Sequence, residues 1–226
     1  MKKQQPQISE DKILEASWEL LGDEGIEKFS LRRLADRLGI QAPSLYWYFK
    51  NKQDLYQRLA NQVSKIILEE FHSEGDWKEQ LTELAVTVRN VLSRYPCSTQ
   101  LMMMTLPHEP DIIRLNNRML LCVESTPLEQ EQKLQVITTL VNYIYNFVLD
   151  AYQHERNVSA ILKDQGELPG EEMTRLLDSM TEEEAGLFRR MFKNELFELM
   201  GTDRAFQFGL KVILLGVEQV MKEQEK

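Results

Sequence analysis

Apolar residues of this chain recur at intervals of three and four, and few glycines or prolines interrupt them. This period is typical of amphipathic helices, whereas half-buried strands alternate every two residues. The spacing extends from a first apolar stripe, which includes Ile13 and Leu20, to the apolar residues before Val217. We therefore predict an all-α fold, without internal repeats or low-complexity segments.

Residues that favour helix ends divide this pattern into successive helices. Side chains that can accept hydrogen bonds from the free amides of a first turn precede most of the apolar stretches. These candidate N-caps are Ser9, Ser30, Asn51, Asp76 and Thr181. Gly25 and Gly39 lie just past the ends of the first two helices, where left-handed backbone is favoured. Pro43, suited to the first helical position, opens a third short helix that runs to about Phe49.

The same pattern predicts the remaining helices and two irregular segments. The predicted helices are 52–71, 77–94, 111–123, 127–155, 181–200 and 203–221. A methionine-rich passage at 96–110 is expected to be irregular. Residues 156–180, which contain Gly166, Pro169 and Gly170, are expected to form a mobile loop with about one helical turn.

The second and third short helices, joined by the residues "GIQA", form a candidate helix-turn-helix. The third helix carries Tyr46, Trp47, Tyr48 and Phe49 in succession. Because consecutive helical residues point about 100° apart, these four rings cannot all face one core. Some of them are therefore expected to be exposed. The alternative is an ordinary helical hairpin inside a bundle.

The net charge of −9 argues against a nucleic-acid partner until its distribution is considered. The first 56 residues carry equal numbers of basic and acidic side chains, so the whole negative balance lies in the remainder. Between Lys28 and Lys52 there are six basic residues and a single acid, Asp36. A basic patch on an acidic protein indicates a local contact with a polyanion.

Several classes of protein are disfavoured by what the sequence lacks. The most apolar stretch, 134–149, is broken by five polar residues, and the N-terminal "MKKQQPQ" leads into no apolar signal-peptide core. We expect a cytoplasmic protein with no membrane partner. Cys97 and Cys122 lack metal or disulfide spacing and are interpreted as buried free thiols. No catalytic signature stands out, so a binding protein is expected rather than an enzyme.

The run "FSLRRLADRLGIQAPSLYWYFKNKQDL" resembles the DNA-binding domain of the tetracycline-repressor (TetR) family, with "LYWYFKNK" as its most specific part. The resemblance covers about residues 10–57, and "FQFGLKVILLGVEQVMK" is similar to the last helix of the tetracycline repressor branch. It implies a homodimeric transcriptional repressor that releases operator DNA when a small molecule binds. The implied domains are a helix-turn-helix domain at 1–50 and a ligand-binding and dimerisation domain at 51–226.

In a helix-turn-helix, the N-terminal end of the second helix enters the major groove. Gln41 and Ser44 can hydrogen-bond to base edges there, and Ala42 and Pro43 offer small apolar surfaces to a thymine methyl group. The resembled branch has a glutamine at the position of Ala42 and a histidine at that of Tyr48. A different operator sequence is therefore expected.

Other residues of this domain are expected to contact the DNA backbone or to read a base. Those flanking the groove or its exit are Tyr46, Trp47, Tyr48, Lys50 and Lys52. Ser30 and the free amides that follow it form a candidate phosphate site. Arg32 matches a base-reading arginine of the resembled branch and is a candidate for a bidentate guanine contact. Alternatively, Trp47 packs on the first helix, and Arg33 and Arg37 are solvated charges.

The last predicted helix is apolar on nearly all sides between Ala205 and Val217. A helix of this kind must be covered on both sides. Its own domain covers one side, and a second copy of the chain is expected to cover the other. The expected interface residues are Phe188, Phe192, Phe206, Gly209, Leu210, Ile213, Gly216 and Val217. Burial of this helix wholly inside one subunit is the alternative.

A ligand pocket is expected beside the long predicted helix 127–155. Polar residues follow one another there at four-residue spacing, and Met102 to Met104 supply adaptable apolar surface. A largely apolar pocket suits a lipophilic or aromatic effector. The expected lining residues are Leu84, Val88, Met102, Met103, Ile137, Val141 and Asn142. The alternative is that the methionines belong to the core and the polar stripe faces solvent.

Tetracycline itself is disfavoured as the effector. The resembled branch has a histidine metal ligand whose position falls at Leu101 or Met102, and its other polar drug contacts align with Leu68 and Leu84. No cofactor and no metal are predicted. His108 lies near Glu109 and Asp111 and could bind a metal, with a lone surface histidine as the alternative.

Two other functional classes remain open at this point. An enzyme with a DNA-binding domain would turn over its ligand. A ligand-independent accessory DNA-binding protein would have no ligand cavity in its larger domain.

Overall fold

The computed structural model describes residues 8–72, 74–165 and 170–224, and within these ranges every regular element is helical. This confirms the predicted all-α class. The α-helices are α1 (Glu10–Glu24), α2 (Leu31–Leu38), α3 (Lys52–Glu70), α4 (Trp77–Arg94), α5 (Ser98–Met104), α6 (Pro110–Leu121), α7 (Gln130–Gln165), α8 (Gly170–Ser179), α9 (Glu182–Lys193) and α10 (Asp203–Gln224). Two 3₁₀ helices lie at Ala42–Trp47 and Leu196–Leu199.

The predicted caps fix most helix starts. The side chains of Ser9, Ser30 and Asn51 each accept a hydrogen bond from a first-turn amide, which satisfies a donor that the helix itself leaves open. Asp76 and Thr181 each form a reciprocal capping box with a glutamate three residues on. Local sequence chemistry therefore accounts for these boundaries without any tertiary contact.

The third short helix is a 3₁₀ helix and not the predicted α-helix. The amide of Ser44 donates to the carbonyl of Gln41 over 2.8 Å, and that of Tyr48 donates to Leu45 over 3.0 Å. Short helices often take this tighter winding, and Pro43 near the start costs no hydrogen bond because the first amides of a helix have no acceptor within it. We call residues 41–49 the recognition segment.

Both segments expected to be irregular contain helices. α5 lies inside the methionine-rich passage, and α7 continues through residues 156–165 because the first helix-breaking residue after it is Gly166. α8 follows at Gly170–Ser179, where a loop was expected. The guanidinium of Arg189 donates to the carbonyls of Leu177 and Met180, which satisfies the C-terminal end of α8.

The chain divides into two compact units, Met1–Tyr145 and Asn146–Lys226. In the first, α3 packs against α4, α5 and α6, and α1 packs against α2. Apolar residues at helical spacing line the inner face of α3: Leu55, Leu59, Val63 and Ile67. In the second, α9 packs against α8, and the ring of Phe206 on α10 contacts that of Phe147.

Candidate nucleic-acid interface

The recognition segment buries two side chains and exposes two large rings. Leu45 and Phe49 are almost fully buried, four residues apart, and anchor the segment in the first unit. Tyr46 is 57% exposed and Trp47 is 89% exposed. The prediction that consecutive rings would point outward is therefore confirmed. The alternative in which Trp47 packs on α1 is excluded, since its side chain is 89% exposed.

The first residues of the segment present small polar and apolar groups. Gln41 and Pro43 are exposed, and Ala42 and Ser44 are half-buried. Within the described ranges, neither the side-chain amide of Gln41 nor the hydroxyl of Ser44 forms a hydrogen bond. Gly39 turns the chain into this segment with φ 65°, the left-handed conformation that glycine adopts most readily.

The basic residues of this region fall into two groups. Arg33 pairs with Glu24, and Arg37 pairs with Asp23 and with Glu19, the latter over 3.5 Å. The hydrogen bond to Asp23 raises the pKa of the Arg37 guanidinium. These two arginines join α2 to α1, so the alternative in which they are only solvated charges is incomplete.

The side chains of Lys28, Arg32 and Lys50 form the second group. They are exposed and make no ion pair with any residue that the structure describes. An exposed cation without a local acid keeps its full attraction for an external anion. Arg32 lies next to Leu31 in the first turn of α2, after Ser30, whose hydroxyl accepts from the amide of Arg33 over 3.3 Å.

Two residues predicted to contact DNA, Tyr48 and Lys52, also have partners inside the chain. The hydroxyl of Tyr48 donates to the carbonyl of Ile8 over 2.5 Å, just before α1. The ammonium of Lys52 donates to the carbonyl of Phe29 over 2.8 Å. Partial burial lowers the pKa of Lys52. The phosphate contacts of Tyr48 and Lys52 stay predictions, since one internal hydrogen bond leaves two further donors on the Lys52 ammonium and an acceptor on the Tyr48 oxygen.

The residues expected at a partner interface separate into two faces of α10. Phe206, Leu210 and Val217 are buried within this chain, so the prediction that a second copy covers them is wrong. Ile213 and Gly209 are half-buried, and Gly216 is exposed with no atom within 4 Å of an added Cβ. The exposed apolar residues of the helix are Phe208, Val212, Leu215 and Val220.

On α9 and the following 3₁₀ helix, apolar side chains are exposed as well. Phe188 is exposed and Phe192 is half-buried, and the rings of Phe188 and Phe197 lie 4.7 Å apart. Leu187, Met191, Leu196 and Leu199 add further exposed apolar surface. A helical apolar period cannot reveal which side of an apolar helix its own chain covers, which explains why sequence reasoning chose residues from both sides.

The residues expected to line a ligand pocket have unequal burial. Leu84, Val88 and Ile137 are buried, while Met102 and Val141 are half-buried. Met103 is 57% exposed and Asn142 is exposed, so these two side chains lie on the surface and do not line a buried ligand pocket. The exposure of Asn142 agrees with the alternative in which the polar stripe faces solvent.

Sequence reasoning missed a row of polar contacts along α3. Gln53 donates from its side chain to the carbonyl of Met104 over 2.9 Å. The amide group of Gln57, oriented to match its partner, donates to the carbonyl of Leu106 over 3.0 Å and accepts from its amide over 2.7 Å. Asn61 accepts from the amide of Asp111 over 2.9 Å. The spacing of Gln53, Gln57 and Asn61, four residues apart, could have indicated from the sequence that they share one face of the helix.

A second missed contact lies between α1 and the turn that precedes α5. The rings of Trp18 and Tyr95 have centroids 5.0 Å apart, and a Cβ added to Gly22 would lie 3.3 Å from Pro96. The Cys97 thiol lies 3.7 Å from the carbonyl of Leu21. The helix α1, which packs against α2, therefore contacts this turn directly.

Other candidate chemistry is limited in the described ranges. They contain no group of three or more His, Cys, Asp or Glu residues that could hold a metal, and His108 is exposed. Asp111 is bonded to Asn61 and Arg114. Cys97 and Cys122 are both buried thiols and form no disulfide in the described ranges, as predicted. No helix in these ranges is long and apolar enough to cross a membrane.

Comparisons with known proteins agree with this geometry. Residues 13–59 match the family described as "Bacterial regulatory proteins, tetR family", and residues 72–221 match "Tetracyclin repressor-like, C-terminal domain". The chain is 25% identical to the tetracycline repressor protein class C of Escherichia coli over 217 residues, or 94% of this chain and 92% of that protein.

Solved structures share the fold. A possible TetR family transcriptional regulator from Streptomyces coelicolor A3(2) aligns with a TM-score of 0.73 at 22% identity, covering 93% of this chain and 98% of that one. ActR from Streptomyces coelicolor, in complex with actinorhodin, aligns with a TM-score of 0.72 at 19% identity, covering 95% and 98%.

The helix-turn-helix with its exposed recognition segment defines a DNA-binding transcription regulator. Together with the larger helical domain that follows, these matches show that the chain belongs to the TetR family. The resemblance seen in the sequence is thereby confirmed. The domain division at residue 50 stays a prediction.

Proposed function

We propose that this chain is a homodimeric, cytoplasmic repressor that binds a pseudo-palindromic operator and releases it when a small lipophilic or aromatic effector binds. It acts as a binding protein and catalyses no reaction. The observation that carries the proposal is the recognition segment, where the exposed rings of Tyr46 and Trp47 follow an exposed Gln41 and Pro43.

The DNA readout is assigned to groups that have no partner within the described part of the chain. Gln41 and Ser44 hydrogen-bond to base edges, and Arg32 makes a bidentate contact with guanine. Lys50 and the Tyr46 hydroxyl contact phosphates and fix the register. Ala42 and Pro43 face apolar base edges. The exposure of these residues, without local ion pairs, supports this assignment.

Specific recognition by so short a segment requires two copies on one duplex. We assign the dimer contact to the exposed apolar faces of α9 and α10, including Phe188, Phe208, Val212 and Leu215. A contiguous apolar face of this kind is unfavourable in water and marks an interface. Two such helices from each copy form a four-helix bundle about a two-fold axis.

The effector site is assigned to the apolar residues of the first unit that the structure buries wholly or in part. These are Leu84, Val88, Met102, Ile137 and Val141. The positions of Leu84 and Leu101 correspond to polar drug contacts in the resembled branch. Both leucines are fully buried and apolar, so tetracycline is disfavoured as the effector. The actinorhodin complex of ActR supports small-molecule binding by this fold.

The helix α3 links the two functions. Its first residues follow the recognition segment directly, and Gln53, Gln57 and Asn61 attach it to the segment 104–111. We propose that the effector binds more tightly to a form of the dimer whose two recognition segments do not match the operator spacing. It then lowers DNA affinity by the ratio of its affinities for that form and for the DNA-binding form. In this mechanism α3 acts as the lever.

The test is fluorescence anisotropy with a labelled duplex taken from just upstream of the protein's own gene, against a scrambled duplex of equal composition. Binding is measured at several salt concentrations and again with a panel of lipophilic aromatic compounds. We expect tight binding to the native duplex that survives physiological salt, and release by at least one compound.

Equal and steeply salt-dependent binding to both duplexes would contradict specific operator recognition. Specific binding that no compound in the panel weakens, together with no compound-induced thermal shift, would instead favour the ligand-independent accessory protein. The two parts of the proposal therefore fail separately.

A further inference from the structure

Three buried side-chain oxygens have no hydrogen-bond partner in the described ranges. They belong to Tyr56 on α3 and to Thr99 and Gln100 on α5. Tyr56 is 2% exposed and Thr99 is 3% exposed, so bulk water does not reach their hydroxyls. Because α3 packs against α5, all three oxygens lie on one pair of packed helices.

The other buried polar groups of these two helices follow the usual rule that such groups are paired. The side-chain amide of Gln57 exchanges two hydrogen bonds with the backbone of Leu106. The hydroxyl of Ser64 donates to the carbonyl of Ala60 over 2.9 Å, and that of Ser98 donates to the carbonyl of Leu92 over 2.8 Å. Unpaired oxygens among such satisfied neighbours indicate a partner from outside the chain.

The unpaired oxygens adjoin the residues assigned to the effector site. Thr99 lies one turn before Met102 on the same side of α5, since residues three apart are neighbours on a helix. Met102 belongs to that site, and its sulfur lies 4.0 Å from the Ser64 hydroxyl of α3. On α3, burial and then the nearby Cys97 thiol raise the pKa of Tyr56, and Cys97 directly precedes α5. The oxygens therefore extend the effector site along the contact between α3 and α5.

The hydrogen-bonding capacities of these groups define what they can bind. The hydroxyls of Tyr56 and Thr99 can each donate and accept, whereas the side-chain oxygen of Gln100 only accepts. A common partner must therefore offer a hydrogen and also accept one. A neutral hydroxyl group does both, whereas a carboxylate has no hydrogen to offer to the Gln100 oxygen.

We propose that Tyr56, Thr99 and Gln100 form a polar subsite that binds a hydroxyl group of a lipophilic aromatic effector. This inference rests on the effector site of the proposed function and adds the chemical class of its ligand, a phenol. The polar drug contacts of the resembled branch fall at Leu84 and Leu101 in this chain, so the subsite uses other positions.

The experiment compares aromatic compounds in which a hydroxyl replaces a methyl group of similar size. The pairs are β-naphthol with β-methylnaphthalene and para-phenylphenol with para-methylbiphenyl, and each Kd is measured by titration calorimetry. Transfer out of water alone favours the methyl compounds. We expect wild type to bind the hydroxyl compounds about 3- to 10-fold more tightly, because buried polar groups gain a partner.

Two variants remove one hydroxyl each at nearly constant volume. Thr99→Val and Tyr56→Phe should both lose the preference for the hydroxyl compounds. Without ligand, Thr99→Val should keep or raise the thermal midpoint, because no hydrogen bond is lost. Ser98→Ala is the matched control on the same helix: it removes a paired hydroxyl, so it should lower the midpoint and keep the preference.

The proposal is overturned if wild type binds the two members of each pair equally, or if the preference survives in both Thr99→Val and Tyr56→Phe. A crystal structure of the naphthol complex in which ordered water alone pairs with the three oxygens would also overturn it. Should Thr99→Val fail to fold, Tyr56→Phe carries the same test. If none of the four compounds bound, the result would instead count against the effector site of the proposed function.

Discussion

The recognition segment and α10 both expose large hydrophobic side chains, but with different neighbours. Trp47 is 89% exposed and stands three residues from the unpaired Lys50, among polar groups. Phe208 is 70% exposed, and the same helix exposes Val212 and Leu215, with Lys211 as the nearby charge. An aromatic ring beside cations suits a hydrated polyanion, whereas a helix face with several exposed apolar side chains suits another apolar surface.

The difference shows that exposure alone does not identify a partner. In the recognition segment the buried residues Leu45 and Phe49 hold a small exposed surface rigidly, so each exposed group has a defined direction. On α10 the exposed face is continuous and chemically uniform, so it supplies association energy more than sequence specificity.

The largest effect is expected for Leu215→Glu on α10. A carboxylate at a position that is 50% exposed leaves the single chain intact but cannot be buried in a dimer interface without a partner. Light scattering after size exclusion should find monomers, and operator affinity should fall by about two orders of magnitude or more, since one recognition segment binds weakly. Gln207→Glu, an exposed change on the same helix, is the control and should remain dimeric.

Arg32→Ala should have the next largest effect. Loss of a bidentate guanine contact costs about 1–3 kcal/mol and relaxes specificity at one base position. Anisotropy should therefore show a roughly 10- to 100-fold loss on the operator and little change on a scrambled duplex. Arg33→Ala serves for comparison, because Arg33 is already paired with Glu24. Equal losses for both variants would contradict the distinction between paired and unpaired arginines.

Trp47→Ala should affect binding without affecting folding. A ring that is 89% exposed contributes little to the folded state, so the thermal midpoint should stay within about 1 °C of wild type. Operator affinity should fall several-fold as its contact with the duplex is lost. Trp18→Ala gives the opposite pattern, since Trp18 is buried and its indole donates to Gln62. A large drop in the midpoint for Trp47→Ala would show that its ring is structural.

The smallest effect is expected for Gly216→Ala, which should change monomer stability and dimer affinity in opposite directions. No atom lies within 4 Å of the added Cβ in the single chain, and alanine favours a helix over glycine by about 1 kcal/mol. The monomer should therefore be slightly stabilised. If a partner helix approaches at Gly216, the dimer dissociation constant should rise at the same time. If the folded monomer and the dimer both became more stable, Gly216 would lie outside the interface.

The sequence predicted the fold best where local chemistry decides it. The caps Ser9, Ser30 and Asp76 fix helix starts through contacts with amides two or three residues away, so no tertiary knowledge was needed. α8 was missed because its end is satisfied by Arg189, more than ten residues further along the chain. Such long-range partners leave no local pattern.

The candidate site shows the same limit. Exposed rings at Tyr46 and Trp47 followed from helix geometry alone. Tyr48 and Lys52 could not be distinguished from them by sequence, because their partners, Ile8 and Phe29, lie 40 and 23 residues away. The buried face of α10 was equally hidden, since apolar residues occur on both of its sides.

The proposed function requires that two chains place two recognition segments on one operator. Native mass spectrometry of the protein mixed with its operator duplex tests this directly, because it counts the chains in each complex. We expect two chains on each duplex, and we expect free Leu215→Glu protein to be a monomer. A complex of one chain per duplex with wild-type affinity would contradict it.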